Sequence, residues 1–462
     1  MPGPGEYRPD PTEGIVDPND LPPPKTKQRT RTPKKCRCPL CQRPATRHEI
    51  RKRKLHHLGD PTSGRPVDIQ LHYSVHYCCK CKKYFQVDTT DIAAPHADYT
   101  NEVVELAVRV VVEDGLPYRS ASWHLWRDHR VFVPFATIQN WVEAAGEKTY
   151  SQIETDIYFD WAFENFSGYI AVDEVYDGPF CILVIVDNRE YKRLMSRVLN
   201  HDPKSEDIQS LFDSFRKVLD ERSLTVKGIT TDGSSLYTEP VRAVFSGISH
   251  QMCEFHVKKE INKGVLKAVA HVRRELEKTK TKRTKRGRPT TKATIRKNER
   301  IDEKIGALFK QRYLFVQKNL TVKEHKMLKK ITRGLPELRK LREIVDEVYG
   351  LYDRRCRRAT GLKKLQTLRE RLKRFKHLSQ LLKKIKSPTV DRSLLFLDDK
   401  HLPSTSNAVE RSNRRFRKMQ KTIYRVRTFD HIKQRVAMDM FRDSRLPQRG
   451  CTIQSLHNAR SG

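Results

Sequence analysis

The sequence predicts a mixed α/β core, interrupted by an all-α insertion and preceded by two small modules. Three observations point to this. Apolar residues fall at helical spacing over 99–148, in strand-like runs from Tyr169, and at helical spacing again after His256. Six of the ten cysteines lie between Cys36 and Cys81. The 462 residues exceed what one core holds, at a soft prior of about 150 residues per domain.

Composition bounds the partner. The chain carries 92 Lys and Arg against 56 Asp and Glu, a formal net charge of +36. Such an excess favours a polyanion. A membrane surface would also attract it, but there is no apolar run of 18 or more residues and no charged-then-apolar leader with a cleavage site. Nucleic acid is the expected partner and no membrane is expected. Clustered cysteines without a secretory signal point to metal binding in a reducing, intracellular setting.

Residues 1–34 are Pro-rich, then basic, bury little, and read as a disordered tail. Residues 35–90 hold CPLC (Cys38, Cys41) and CCKC (Cys78, Cys81). Each C-x-x-C forms a knuckle presenting two sulfurs, and four thiolates close a tetrahedral site. With HYCC and KKYF as short strands, the segment reads as a zinc ribbon holding one structural Zn²⁺. Cys36 and Cys79 are spare thiols that could exchange for a neighbour. Buried reduced cysteines without a metal are the alternative.

Residues 97–150 read as three short helices. Within them GLPYRSASWHLWRD followed by VPFATIQNWVEAAG forms a helix-turn-helix pattern, with Thr137, Gln139 and Asn140 on the DNA-recognition helix. A plain three-helix linker would show the same pattern.

Over 165–260 the runs GYIAVDEVYDG, PFCILVIVDNRE and YKRLMSRVL, the helical SEDIQSLFDSFRKVLDE and the strand LTVKGITTDGSS give β-β-β-α-β. That order opens a ribonuclease H-like sheet. Residues 261–395 form the helical, basic insertion. Its KRGRP stretch, with Arg286 and Arg288, is either an AT-hook-like minor-groove reader or a solvated charge run. Leu362, Leu365, Leu368, Leu372, Phe375, Leu382 and Ile385 trace a helical stripe that needs burial. Residues 400–440 supply the last helices of the core and 441–462 a tail.

Two acids sit at strand ends, Asp173 on the first strand and Asp232 where the later strand turns at Gly233. On neighbouring strands they can share divalent ions; without a cation, buried like charges repel. Alternation sends Glu174 to the face opposite Asp173. Asp177, Asp187 and Asp207 read as turn-formers. A third acid, Glu410, lies in SNAVERSNRRFRK beside Arg411, Arg414 and Arg415. Local rules make Asn407 an N-cap with Glu410 at the third helical position, a capping-box variant, paired to Arg414.

Taken together, AVDEV, ITTDGS, CEFH and NAVERSNRRFRK resemble the catalytic segments of DDE transposases. More narrowly, they resemble the Mutator-like group and its bacterial insertion-sequence relatives, over about residues 90–435. The resemblance implies that Asp173, Asp232 and Glu410 are catalytic and hold two Mg²⁺ (or Mn²⁺) ions per active site. It places the C-x-x-H pair, Cys253 and His256, beside them, and a helical domain between the second and third acids. It implies cleavage at terminal inverted repeats of a mobile element and strand transfer into target DNA, with Arg411, Arg414 and Arg415 on phosphates. Double-stranded DNA and a homodimer or larger assembly are the implied partners, in the cytoplasm or nucleoid of a prokaryote, or the nucleus of a eukaryote. A catalytically silent, transposase-derived regulator would keep the same modules.

Overall fold

The structure, a computed structural model, describes residues 9–60, 63–153, 156–281, 291–373, 383–422 and 428–460. It divides into two compact units, 1–161 with 415–462, and 162–414.

The first unit begins with a five-stranded sheet of β1 (Lys25–Arg31), β2 (Cys36–Arg37), β3 (Pro44–Asp60), β4 (Arg65–Cys78) and β5 (Lys83–Gln86). Strands β3 and β4 form a long antiparallel hairpin in the order β1-β4-β3-β2, with β5 also on β4. Leu55 lies opposite Ile69, and with Leu71 they pack against Ile92 and Ala93. One face of the hairpin is thereby buried, as a period of two requires.

The expected disordered tail is corrected over residues 9–34, while 1–8 lie outside the described residues. Strand β1 runs parallel to β4, from Lys25 opposite Val67 to Arg31 opposite Tyr73. All seven of its side chains are exposed, so hydrophobic patterning carried no trace of it. The ladder is made by backbone groups alone. Upstream, the buried Asp10 carboxylate accepts from both terminal nitrogens of Arg130 at 2.9 and 3.2 Å, and the Trp126 indole donates to the Thr12 hydroxyl at 2.8 Å.

Close packing also fixes a glycine here. A Cβ on Gly59 would lie 2.5 Å from Arg130 Cβ and 2.7 Å from the Arg65 carbonyl. Gly59→Ala is expected to lower stability by about 1–3 kcal/mol through overpacking, read as a shifted urea midpoint with an unchanged slope.

Three helices follow, α1 (Asn101–Val112), α2 (Tyr118–His129) and α3 (Phe135–Ile153). Their shared core includes Val103, Ala107, Val111, Leu125, Ile138 and Val142. Helix α2 stops where Arg130 takes a left-handed conformation (φ 46°) and its N–H caps the Leu125 and Trp126 carbonyls. Helix α4 (Asp156–Phe163) leads on to the sheet of the second unit.

That sheet comprises β6 (Tyr169–Asp177), β7 (Phe180–Asp187), β8 (Arg193–Leu199), β9 (Gly228–Thr231) and β10 (Ser249–Met252), in the order β10-β9-β6-β7-β8. β6, β7 and β8 form an antiparallel meander, while β9 runs parallel to β6 and β10 parallel to β9. β7 is apolar almost throughout because both its faces are covered. Helices α5 (Ser205–Glu221) and α6 (Thr238–Val244) connect the later strands. β10 escaped the sequence reading because SHQM is polar. Its His250 ring nitrogen meets the Thr231 hydroxyl at 2.9 Å and its Gln251 amide donates to the Ser393 carbonyl at 2.8 Å.

Helices α7 (Glu254–Lys278), α8 (Lys292–Lys310), α9 (Val322–Ile331), α10 (Pro336–Gly350), α11 (Arg358–Lys373) and α12 (Pro388–Arg392) build the helical part of this unit. Leu365, Leu368, Leu372 and Ile385 of the predicted stripe are buried in its core and Leu362 packs against it. Phe375 and Leu382 lie outside the described residues. Helix α13 (Asn407–Thr422) contains the division between the units, and α14 (Phe429–Arg460) completes the first.

Two expectations change here. Helix α14 belongs with α3, where Met438 joins the helical core and a Cβ on Gly146 would come within 2.7 Å of Gln434 Cβ. The expected 441–462 tail continues that helix through Arg460; its last residues are exposed, so no apolar period announced it.

Candidate active site and metal centre

The two C-x-x-C knuckles bring Cys38, Cys41, Cys78 and Cys81 together, with all four sulfurs within 4.8 Å of one another. Cys38 and Cys81 sulfurs stand 3.9 Å apart and those of Cys41 and Cys78 3.6 Å. A tetrahedron with Zn–S bonds of about 2.3 Å has edges of about 3.8 Å, so the set fits zinc. Each knuckle turns through a left-handed residue directly after its second cysteine, Gln42 (φ 57°) and Lys82 (φ 52°). Contact with the Cys41 sulfur, then burial and the remaining sulfurs, push the Cys81 thiol up to about 12, the behaviour of thiolates crowded without a cation. Cys36, on β2, and the exposed Cys79 stand outside the cluster.

In the second unit the sheet register aligns two acids. Ala171 pairs with Thr230 across β6 and β9, and two residues further on lie Asp173 and Asp232. Asp232 directly follows the end of β9. The expectation that Asp173 ends its strand is corrected, since it is the fifth of the nine residues of β6 and β6 runs on beside β7 to Asp177. Asp173 Oδ2 accepts from the Asn413 amide at 2.8 Å. Burial, then the Glu174 and Asp232 carboxylates, push Asp173 up to about 7. Asp232 accepts the Ser234 N–H at 2.7 Å as the chain turns at Gly233 (φ 96°).

Glu174 is engaged elsewhere, its carboxylate accepting from the buried Tyr237 hydroxyl. Among the described residues no three of these carboxylate and imidazole ligand atoms come within 4.8 Å of one another. The acidic site is more open than the cysteine cluster.

Glu410 reaches the site through His256, with Oε1 4.0 Å from His256 Nε2. The capping-box reading is corrected. Helix α13 begins at Asn407, and Glu410, its fourth residue, donates its N–H to the Ser406 carbonyl at 3.1 Å while its carboxylate faces the imidazole. Arg414 is exposed and forms no ion pair with Glu410. Against the effect of burial, the His256 ring and Ser406 hold the Cys253 thiol below its ordinary range, and Cys253 in turn raises His256. No group meets hydrogen-bond geometry with the buried His256 Nδ1, so the coupling to the thiol is a matter of proximity. A cavity of about 300 Å³ opens beside Asp232 and His256, with Lys259, Lys263 and Lys384 on its wall.

The family model for DDE transposases of the ISL3 family, described as Transposase, matches residues 181–436. The chain belongs to this family. Asp232, Cys253, His256 and Glu410 lie within the match, and Asp173 falls eight residues before its start. No curated protein matches the chain. The motif resemblance to DDE transposases therefore holds, while its narrower Mutator-like assignment gives way to ISL3. A motif such as C-x-x-H fixes two residues, too few to separate related groups.

The other predicted residues of this transposase lie as follows. At the start of α3, Thr137 is half-buried, Gln139 donates to Glu143 at 2.8 Å and Asn140 is exposed. Arg286 and Arg288 lie outside the described residues. Arg411 stacks over the Tyr191 ring at 4.6 Å, Arg414 is exposed, and Arg415 is paired with Asp443. Among the described residues no helix is long and apolar enough to cross a membrane.

Asn413 was missed as a site residue. It stands three positions after Glu410, on the same helix face, and that spacing was its available signal. Asp187 matches its turn-former reading: its carboxylate accepts from the Ser167 hydroxyl and from the N–H groups of Ser167, Arg189 and Glu190.

Proposed function

We propose that this transposase binds the terminal inverted repeats of a mobile element and catalyses DNA strand cleavage and strand transfer, with Asp173, Asp232 and Glu410 as its catalytic acids. The observation that carries the reading is the strand register that sets Asp173 beside Asp232, a half-buried pair of like charges suited to a shared cation. Two Mg²⁺ or Mn²⁺ ions held by the three acids would activate the attacking water or 3′-hydroxyl and relieve charge on the leaving oxygen. Asn413 orients Asp173 through its amide, and His256 stands against Glu410.

Arg411, Arg414 and the basic segment with Arg286 and Arg288 are assigned to DNA phosphates, in keeping with the net charge of +36. Thr137, Gln139 and Asn140 are assigned to base edges of the repeats, and a zinc-loaded ribbon to their flank. Two ends must be held for exchange, so a homodimer or larger assembly on double-stranded DNA follows, within the cell.

The test uses duplexes carrying the inverted repeats that flank the coding sequence, with Mg²⁺ or Mn²⁺. Nicked and joined products are expected. Specific binding without cutting under either metal would overturn the catalytic reading and leave a DNA-binding regulator. Glu174→Gln should stay within about tenfold of the parent, because its carboxylate is already committed to Tyr237.

A further inference from the structure

Glu410 comes to the sheet after the whole helical insertion, so its own neighbours in sequence cannot fix where it lands. We infer that residues 403–406 are a latch that positions Glu410, and that Asn188 and Cys253 are positioning residues acting through it; the inference rests on the reading of Asp173, Asp232 and Glu410 as metal-holding acids.

The latch is visible in the fate of successive carbonyls. Leu402 is buried against Gly228, where a Cβ would come within 2.7 Å of Leu402 Cδ1. The Pro403 carbonyl then accepts from the Thr230 hydroxyl at 3.3 Å and the Ser404 carbonyl from the Glu254 N–H at 2.8 Å. The Thr405 carbonyl accepts from the Asn188 side-chain amide at 2.9 Å, and the Ser406 carbonyl from the Glu410 N–H at 3.1 Å. The Ser406 N–H donates in turn to the Cys253 sulfur at 3.4 Å.

Connecting segments usually run over the surface and give their polar groups to water. Here consecutive backbone groups are taken up by β9, by the residue after β7, by the turn into α7 and by α13 itself. Two of the anchors lie close in sequence to residues of the site: Thr230 two residues before Asp232, and Cys253 three before His256, which faces Glu410. Locking 403–406 fixes the first turn of α13, and with it Glu410, 4.0 Å from His256.

A plain turn role does not account for Asn188. Its backbone N–H already closes onto the Tyr169 carbonyl at 2.8 Å, which leaves the side chain, 4 % exposed, to reach Thr405. Cys253, 1 % exposed, is likewise spent on no disulfide and on no group of four cysteines.

The test is Mn²⁺ titration of the zinc-loaded, DNA-free full chain, followed by thermal unfolding. In the parent, Mn²⁺ raises the melting temperature. Cys253→Ala and Asn188→Ala should weaken apparent Mn²⁺ affinity about 10–100-fold, the usual cost of losing a partner behind a ligand. Cys253→Ser, whose hydroxyl still accepts the Ser406 N–H, should recover much of it. Combined with Glu410→Gln, neither alanine should weaken Mn²⁺ binding further, since both act through Glu410.

Unchanged affinity in both alanine variants, no recovery with serine, or losses that add in full to Glu410→Gln would overturn the latch while leaving the metal site. If Asn188→Ala fails to fold, the alanine and serine variants of Cys253 decide alone. A parent that does not respond to Mn²⁺ overturns the metal-site reading and the latch with it.

Discussion

Asp173→Asn should lower strand cleavage by about a thousandfold or more, the loss of several kcal/mol of transition-state stabilisation, yet the variant should melt above the parent near pH 8 when divalent metal is absent. The two effects have one cause. Asp173 is held among carboxylates, with burial first and then Glu174 and Asp232 raising it from 3.8 to about 7. A folded-state value above the unfolded one means that folding takes up a proton between about pH 4 and pH 7. The favourable contribution is complete below that window, is lost as pH rises through it, and is absent above.

The substituted asparagine would carry no charge to desolvate, and its side-chain oxygen could still accept from the Asn413 amide. The stability gap between variant and parent should therefore grow from near zero at about pH 4 to on the order of a few kcal/mol above pH 7. Mn²⁺ should close the gap by stabilising the parent alone. Melting curves across that range, with and without Mn²⁺, read both points. A variant less stable than the parent at every pH would mean that Asp173 is a structural carboxylate, and the catalytic assignment would fall with it.

What was legible in the sequence follows from how far apart the determinants lie. β6 and β7 are dense apolar runs, and the knuckles set their own sulfurs at fixed spacing, so both announced themselves locally. β1 did not, because a strand that pairs through its backbone ladder with every side chain exposed leaves no hydrophobic trace. β10 is polar because the partners of His250 and Gln251 come from other elements.

The acids were legible one at a time, Asp232 as a strand-end residue, Asp173 as an acid in an apolar strand though not at its end, and Glu410 as the acid in a basic helix. Their arrangement was not. For Glu410 the local rules suggested a cap, whereas the helix starts at Asn407 and the carboxylate turns to His256. Asn188 and Thr405 lie 217 positions apart, so no window on the chain could show their pairing. Hydrogen bonds of that span decide where the third acid sits, and composition and periodicity do not register them.

Zinc removal should have the other large effect, confined to one end of the N-terminal sheet. The cluster that joins β2 and β5 to the hairpin consists of Cys38, Ala45 and Cys78, with Cys41, Cys81 and Phe85 against it. Most of that core is the four cysteines themselves. β2 has two residues and β5 four, too little ladder to persist alone. Structural zinc contributes about 10–16 kcal/mol of apparent binding energy in small metal-dependent folds, more than this cluster can replace.

Chelation, or Cys78→Ser, should therefore release one zinc per chain and abolish amide-exchange protection over 36–46 and 76–86. Protection around Leu55, Ile69 and Leu71 should remain, because Ile92 and Ala93 hold that part of the hairpin independently. Cys36→Ser and Cys79→Ser should keep both zinc and protection, since neither sulfur belongs to the group of four. If chelation left the exchange pattern of the knuckles unchanged, the cysteines would be buried thiols packed without a metal, and the ribbon would owe its shape to the hairpin alone.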